Sequence, residues 1–282
     1  MELENMFTVF GGQGFIGSEF VSQLEMRGEE VFVPKREDPD IYEKGLGTII
    51  YCAGYGDCEK DPFNVLNANV VLLSNILQRA NFEKLIYVSS TRIYMNNISS
   101  NPDSDVSIIY EDSRRLFNLT KLTAEEICIK SKKDCLIIRP SNVFGLALNS
   151  PLFLPSITRN AINNGYIDMY VTEDYAKDYV YVGDVVKSTL QILDSKKDKP
   201  KIVNVASGVN TTAKEIADIL KNKTGCDVNW HNTEKNDKEQ FPITDITELK
   251  KYIDFEPIQV MTALEKMVDK FIRALSNEKS EW

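Results

Sequence analysis

A glycine-rich turn near the start of the chain places the strongest limit on its fold. Residues 7–10 have the β-branched and aromatic composition of a strand, and an amphipathic helical pattern follows from Phe15. The segment that joins them is Gly11, Gly12, Gln13, Gly14, Phe15, Ile16 and Gly17. Glycines let the backbone turn tightly and approach a pyrophosphate, and the helix N-terminus offers unpaired N–H donors. This order of strand, turn and helix predicts a dinucleotide-binding site.

The first half of the chain alternates short strand-like runs with longer amphipathic stretches. The runs cover residues 7–10, 31–33, 48–52, 85–89 and 136–139, and the helical patterns cover residues 15–27, 64–79 and 112–130. Such alternation predicts an α/β fold, a Rossmann-type doubly wound parallel sheet with helices on both faces. The connection from 33 to 48 is short, so we expect a trimmed second crossover.

The pattern becomes less regular after Gly145. A helical stretch at 155–164 precedes strand-like runs at 179–182 and 201–205, which we expect to rejoin the sheet, and helices at 212–224 and 260–275 follow. We predict that residues 1–145, with the strands near 179–206, form the dinucleotide-binding domain. Residues 146–178 and 207–282 are predicted to form a smaller, interleaved C-terminal substrate lobe.

Composition argues against several functional classes. The net charge of −9 disfavours a nucleic-acid or anionic-membrane surface, so neither partner is expected. A single histidine and five scattered cysteines without C-x-x-C spacing leave little material for a metal site, Ser-His catalysis or a disulfide framework. The acidic first residues and the lack of any run of about eighteen apolar residues argue against a secretory signal and a membrane span, so a cytoplasmic location is expected.

The end of the second strand-like run bears on the choice of cofactor. Lys35 and Arg36 stand where an NAD-selective site offers Asp or Glu to the ribose hydroxyls. Positive charges suit a 2′-phosphate, so the sequence favours NADP over NAD. The alternative is that both are solvated loop charges, since Glu37 and Asp38 follow directly.

Further short motifs follow the glycine turn in a definite order. In chain order they are Cys52, Ala53 and Gly54; Asn69; Ser89, Ser90 and Thr91, with Tyr94 four residues after Ser90; Phe117-x-x-x-Lys121; Pro140, Asn142 and Val143; and Lys177 with Asp178 and Tyr179. With these motifs, nearly the whole chain resembles the extended short-chain dehydrogenase/reductase family, the NAD-dependent epimerases and dehydratases that modify nucleotide sugars.

The resemblance implies roles for particular residues. Ser90, position 117 and Lys121 correspond to the family's catalytic residues, and the substrate would be bound by Ser90, Thr91, Asn142 and Lys177. The cofactor would be bound by the glycine turn together with Lys35, Arg36, Cys52, Ala53, Gly54, Asn69, Ser89, Lys121, Pro140, Asn142 and Val143.

Position 117 departs from the family's Tyr-x-x-x-Lys pattern. The tyrosine hydroxyl relays a proton in the family, and Phe117 keeps the ring without the proton. Three explanations stay open: a deliberate Tyr-to-Phe substitution, a native phenylalanine with slower chemistry through Ser90 or a substrate-bound water, and a non-catalytic NAD(P)-binding sensor. The retained Ser90 and Lys121 argue against the sensor.

The sequence therefore predicts an NAD(P)-dependent oxidoreductase acting on a nucleotide-activated sugar. A 4-keto-sugar reductase or sugar dehydrogenase comes first because the second crossover is short and because Thr91 and Arg92 are not the Glu–Asp pair that dehydration needs. A nucleotide-sugar epimerase is the second choice. The resemblance also implies a role in polysaccharide biosynthesis and a homodimer formed through the helix of Lys121 and the helix before it.

Overall fold

The computed structural model describes residues 6–148, 150, 152–197, 200–231 and 239–280. The strands are β1 (Met6–Phe10), β2 (Glu30–Phe32), β3 (Thr48–Tyr51), β4 (Lys84–Val88), β5 (Cys135–Pro140), β6 (Asn142–Phe144), β7 (Tyr166–Met169), β8 (Ala176–Tyr181), β9 (Ile202–Val205), β10 (Asn210–Thr212) and β11 (Asp227–Trp230). The α-helices are α1 (Phe15–Met26), α2 (Pro62–Leu66), α3 (Leu72–Arg79), α4 (Arg115–Lys130), α5 (Phe153–Asn164), α6 (Val182–Asp194), α7 (Ala213–Thr224), α8 (Thr247–Tyr252) and α9 (Val260–Ser280).

A six-stranded parallel sheet in the order β2-β1-β3-β4-β5-β9 forms the centre of the structure. Its register places Val9 beside Ile50, Ile50 beside Ile86, and Ile86 beside Leu136. These four side chains lie on one face because side chains alternate between the faces of a strand. The prediction of a Rossmann-type doubly wound parallel sheet is confirmed.

Helices cover both faces of this sheet. Helices α1 and α6 pack on the face of Ile86, with Phe20 and Val185 in the core. Helices α3 and α4 cover the other face, where Leu73 and Tyr87 are buried. Fully burying one such large apolar side chain contributes about 1.5–3 kcal/mol, so the two cores hold the strand ends in fixed positions.

Two local features of the first half position the site. The crossover from β2 to β3 contains a single 3₁₀ turn, Pro39–Tyr42, capped by the Asp38 carboxylate, as the short connection predicted. The helix predicted over 64–79 begins at α2 and is interrupted by a π-helical turn, Asn67–Val71. Turns of this type occur often at functional sites.

The part of the chain that packs outside the main sheet, here called the second lobe, has its own sheets and core. Strand β8 lies between β6 and β10 in a three-stranded sheet, and β7 pairs with β11 in a two-stranded one. Helices α5, α7 and α9 pack around a core that contains Leu154, Leu220 and Phe271. Among the helices of the described ranges, none is both long enough and apolar enough to cross a bilayer.

The placement of β8 corrects one expectation. The strand-like run at 201–205 rejoins the main sheet as β9, but the run at 179–182 does not, so the expectation that both runs rejoin this sheet was wrong. Tyr179 packs into the core of the second lobe, and Val180 packs against the main sheet's core. A strand buried on both faces has the same composition as a central strand of a parallel sheet, so the sequence pattern does not distinguish them.

Candidate active site

The carboxyl ends of β1, β3, β4 and β5 meet at a cavity of about 410 Å³. The chain leaves β1 for β2 on one side and returns to β3 on the other, so this edge is the switch point where open α/β sheets bind ligands. The sequence-predicted residues that line the cavity are Gly14, Phe15, Ile16, Gly17, Cys52, Gly54, Ser89, Ser90, Thr91, Phe117, Lys121, Pro140, Asn142, Val143 and Lys177.

The glycine turn fits a pyrophosphate. Gly11 has φ +76°, and a Cβ there would lie 2.8 Å from the backbone of Cys52 and Ala53. A Cβ on Gly17 would lie 2.1 Å from the carbonyl oxygen of Gly11. Helix α1 begins after Gly14 without a side-chain cap, so its first N–H groups are available to an anion. These residues could hold the diphosphate of a dinucleotide.

Other predicted residues support the turn from outside the cavity lining. Gly12 is buried against Val33, because a Cβ at position 12 would lie 2.9 Å from that side chain. Ala53 packs on the core under α3 and α4, and Gln13 is exposed to solvent.

Asn69 supports the wall of the cavity through hydrogen bonds to Tyr55 and Thr120. Its Oδ1 atom accepts a hydrogen bond from the Tyr55 backbone N–H over 3.0 Å. Its Nδ2 atom donates to the carbonyl oxygen of Tyr55 and to Oγ1 of Thr120, each over 3.0 Å. The π-helical turn therefore fixes Tyr55, which lines the cavity, against α4.

Lys35 and Arg36 lie beyond the end of β2, where both side chains are exposed and outside the cavity lining. The backbone of Lys35 approaches the Asp38 carboxylate at 3.4 Å. Their contact with a 2′-phosphate stays a prediction.

Helix α4 places Phe117 and Lys121 one turn apart on the cavity side. The Nζ atom of Lys121 donates a hydrogen bond to the carbonyl oxygen of Val88 over 2.8 Å and lies 5.6 Å from the Phe117 ring centroid. Burial lowers the pKa of Lys121 to about 8, against the opposing effects of Cys52 and Glu125. Ser90 Oγ accepts a hydrogen bond from the Arg92 backbone N–H over 3.1 Å, which leaves the serine O–H free to donate.

A buried polar network lies beneath Ser89 and was missed from the sequence. Ser89 Oγ donates to the Glu125 carboxylate, which also accepts from Nε of Arg139 over 3.0 Å. Arg139 donates further to the hydroxyl of Tyr94, and that hydroxyl donates to Oδ1 of Asn204 over 3.0 Å. The signal was a charged residue inside the apolar run of β5, because such a residue needs a buried partner.

A second carboxylate joins the main sheet to the second lobe. Asp178 accepts hydrogen bonds from Ser141 Oγ over 2.6 Å and from the backbone N–H groups of Ser207 and Gly208 over 2.9 and 2.7 Å. Nδ2 of Asn142 donates to the carbonyl oxygen of Asp178 over 2.8 Å. This joint fixes Asn142 in the cavity wall.

The second lobe closes the far end of the cavity. Lys177 and Phe241 line it, and the Glu239 carboxylate lies 3.5 Å from Nζ of Lys177 and 3.3 Å from Nη2 of Arg92. The Tyr175 hydroxyl donates to the same carboxylate over 2.8 Å. Burial lowers the pKa of Lys177 to about 8, in spite of Glu239.

Arg114, which no sequence motif singled out, also lines the cavity, with its Cζ atom 4.6 Å from the Phe117 ring centroid. No sequence signal separates it from Arg115 beside it, which has the same chemistry and lies on the Tyr110 ring. Further lining residues that the sequence did not single out are Tyr55, Gly56, Val88, Arg92, Ser141, Leu152 and Phe241.

The chain is similar in sequence to a known protein family. The model of the NAD dependent epimerase/dehydratase family matches residues 7–206. A putative UDP-glucose 4-epimerase of Methanocaldococcus jannaschii is 26% identical over 261 residues, covering 78% of this chain and 83% of that protein. A dTDP-4-dehydro-6-deoxy-D-allose reductase of a Streptomyces species is 22% identical over 308 residues, covering 92% of this chain and 93% of that protein.

Solved structures show the same fold. MoeE5 in complex with UDP-glucuronic acid and NAD superposes with a TM-score of 0.82 at 16% identity, covering 95% of this chain and 99% of MoeE5. The epimerase Mth375 of Methanothermobacter thermautotrophicus gives a TM-score of 0.83 at 16% identity, covering 98% of this chain and 94% of that one. Because the family model covers well over half of the chain, the protein belongs to the NAD dependent epimerase/dehydratase family, as its motifs predicted.

Proposed function

We propose that the protein is an NAD(P)-dependent oxidoreductase that acts at a ring carbon of a nucleotide-activated sugar, as a 4-keto-sugar reductase or a sugar dehydrogenase. One observation carries the proposal. A single cavity joins a glycine cradle and an uncapped helix N-terminus to Ser90 and Lys121, with Lys177 of the second lobe at its far end.

Different residues along this cavity have different proposed roles. Gly14, Phe15, Ile16 and Gly17 would hold the cofactor's diphosphate, and Lys121 would bind its ribose hydroxyls. A nicotinamide dinucleotide supplies or accepts the hydride when it is bound. Asn142 and Lys177 face the remaining space, where the substrate's nucleotide would lie.

Proton movement is the step that Phe117 limits. Reduction of a sugar carbonyl adds a proton to its oxygen, and oxidation of the alcohol removes one. With no hydroxyl at position 117, the free O–H of Ser90, or a water held by the substrate, exchanges this proton. Loss of a general acid/base costs on the order of 10²–10⁴ in rate, so we expect slow turnover.

Reduction or dehydrogenation is favoured over epimerisation by local structure. The second crossover holds a single 3₁₀ turn, and Thr91 and Arg92 occupy the positions after Ser90. The Streptomyces reductase, matched over 92% of this chain, supports the same choice. Epimerisation is the second candidate, supported by the relative from M. jannaschii. The third candidate, a non-catalytic NAD(P) sensor, has less support because the cavity retains Ser90 beside Lys121.

The proposal includes NADP in preference to NAD, since Lys35 and Arg36 are exposed beyond β2. It includes a homodimer, since apolar side chains of α2 and α4 are exposed. It also includes a cytoplasmic location, where the five cysteines, all free thiols in the structure, would stay reduced.

The test is single-turnover chemistry at the nicotinamide absorbance band with a panel of nucleotide sugars and 4-keto sugars. The wild type is compared with Phe117→Tyr and with Phe82→Tyr, a control that adds the same hydroxyl outside the cavity. We expect Phe117→Tyr to raise the rate with one substrate by about 10²–10⁴, and Phe82→Tyr to leave it unchanged. Cofactor binding by all three without turnover of any substrate would contradict the proposal and favour the sensor.

A further inference from the structure

Arg114 borders the position where the sugar would react. Its Cζ atom lies 4.6 Å from the ring centroid of Phe117, at the position of the family's proton-relaying tyrosine. Gly56 makes room for this approach, because a Cβ there would lie 3.2 Å from Nη2 of Arg114. The guanidinium therefore lies beside the ring at position 117, where the substrate's sugar would react.

At this end of the cavity the cations outnumber the carboxylates. Arg92 is engaged by Asp112, whose Oδ1 lies 2.8 Å from its Nη2, and by Glu239. Lys177 shares the Glu239 carboxylate. Three cations thus face two carboxylates at this end of the cavity, in a protein whose net charge is −9.

Of these three cations, Arg114 is the one without an ion-pair partner among the described residues. Within the described part of the chain, no carboxylate lies in ion-pair range of its guanidinium, which contacts the Phe117 ring instead. Burial, together with the charge of Arg92, lowers the pKa of Arg114. Nε of Arg92 is buried and lacks a hydrogen-bond partner among the described residues. The Arg114 guanidinium thus has donors to offer to an anion, whereas Arg92 is held by Asp112 and Glu239.

The anion belongs to the sugar and not to a diphosphate. The cofactor's diphosphate fits the glycine turn, and Asn142 and Lys177 are proposed to face the substrate's nucleotide. A planar guanidinium matches a carboxylate, which accepts two parallel N–H bonds. We infer that the substrate is a nucleotide-activated uronic acid and that Arg114 binds the carboxylate of its ring. This inference rests on the proposed function and narrows its substrate class.

The test is a calorimetric titration of the NAD-loaded protein. UDP, dTDP, GDP, CDP and ADP first identify the nucleotide, and the glucose and glucuronic acid derivatives of that nucleotide are then compared. The variants are Arg114→Met, Arg114→Lys and Arg115→Met, a control outside the cavity lining. Thermal melting of each variant with NAD shows whether the fold is retained.

We expect the wild type to bind the uronic acid at least about tenfold more tightly than the hexose, the effect of one charge-assisted hydrogen-bond pair. Arg114→Met should remove this preference and change the affinity for the hexose and for the nucleoside diphosphate by less than about threefold. Arg114→Lys should keep part of the preference, because lysine keeps the positive charge but lacks the planar guanidinium that donates two parallel hydrogen bonds. Arg115→Met should behave as the wild type.

Two results would overturn the inference while leaving the proposed function standing. One is a wild type that binds hexose and uronic acid equally. The other is an Arg114→Met variant that loses affinity equally for the uronic acid, the hexose and the nucleoside diphosphate, because Arg114 would then contact the diphosphate. If no nucleotide or nucleotide sugar binds although NAD does, the proposed function is wrong, and the inference falls with it.

Discussion

The ammonium group of Lys121 is tied to the carbonyl oxygen of Val88 by a hydrogen bond of 2.8 Å, so helix α4 and the end of strand β4 meet at one buried charge. Val88 directly precedes Ser89 and Ser90. The position of the serine hydroxyl and the protonation of the lysine therefore depend on the same contact.

Cofactor binding is expected to weaken above about pH 8. Burial lowers the pKa of Lys121 to about 8, so above that pH the amine is neutral and a weaker donor to ribose hydroxyls. The affinity for NAD should fall as the pH rises from 7 to 9, and Lys121→Met should remove this dependence. The measurement is a fluorescence titration at each pH. An unchanged wild-type profile would contradict the assignment.

The lowered pKa of Lys121 also predicts how the free energy of unfolding changes with pH. Since the pKa of Lys121 is about 8 when folded and near 10.5 in an unfolded chain, the unfolded state binds more protons between these values. The contribution of Lys121 to the free energy of unfolding should therefore rise with pH across this window. It should appear as the difference between wild type and Lys121→Met in urea unfolding at pH 7.5 and pH 9.5.

The buried Arg139–Glu125 pair is expected to be strongly coupled. Arg139→Met or Glu125→Leu alone leaves a buried charge without its partner and should destabilise the fold by about 3–5 kcal/mol. The double variant should lose less than the sum of the two. Lys214→Met, which breaks the exposed pair with Glu173, should change stability by at most about 1 kcal/mol. Additive losses in urea unfolding would show that the pair is not coupled.

Gly17→Ala is expected to weaken cofactor binding. The added methyl group would overlap the carbonyl oxygen of Gly11, which is backbone and has no rotamer to change. The turn would have to open, and we expect an affinity loss of at least about tenfold, since a pyrophosphate depends on its close backbone approach. Ser18→Ala, an exposed change in the same helix, is the control. NAD affinity in Gly17→Ala equal to that of the wild type would exclude the turn as the phosphate site.

Cofactor selectivity is expected to depend on Lys35 and Arg36. Alanine at both positions should weaken NADP binding at least about tenfold and leave NAD binding nearly unchanged, since only NADP has a 2′-phosphate to pair with them. Alanine at Lys132 and Lys133, which are exposed on the loop after α4, provides a control of equal charge. A wild type that already prefers NAD would rule out this role.

The homodimer is expected to depend on the exposed apolar side chains of α2 and α4. Helix α2 packs beside α4, with Phe63 exposed by 78% and Leu119 by 45%. Lysine at both positions should convert a dimer to a monomer, as measured by sedimentation velocity, because burying two charges at an apolar interface is unfavourable. Ile98→Lys, at a fully exposed loop position, is the control. A wild type that sediments as a monomer would refute the dimer.

Local patterns predicted the first half of the fold well. The glycine turn, the strand before it and the helix after it lie within residues 6–26, so a local sequence pattern is enough to indicate all three. The spacing of Phe117 and Lys121 likewise predicted their shared helix face.

Long-range contacts could not be predicted in the same way. Phe241 lines the cavity and Glu239 pairs with the lining residues Lys177 and Arg92, although both come from a segment far along the chain and neither has a local motif. Arg114 directly precedes α4 and Arg115 is its first residue, and which of the two reaches the cavity depends on the tertiary position of the helix start. Strand β8 is buried on both sides, so its composition does not tell which sheet contains it.

The path of the chain between its two cores has a consequence for how the binding specificity of this protein can change. The polypeptide leaves the main sheet after β5, returns at α6, leaves again after β9, returns at α8 and ends in α9 on the second lobe. The second lobe is therefore not one continuous segment, so recombination could not exchange it in a single step. New specificity would have to arise by point substitutions at the cavity's rim, one side chain at a time.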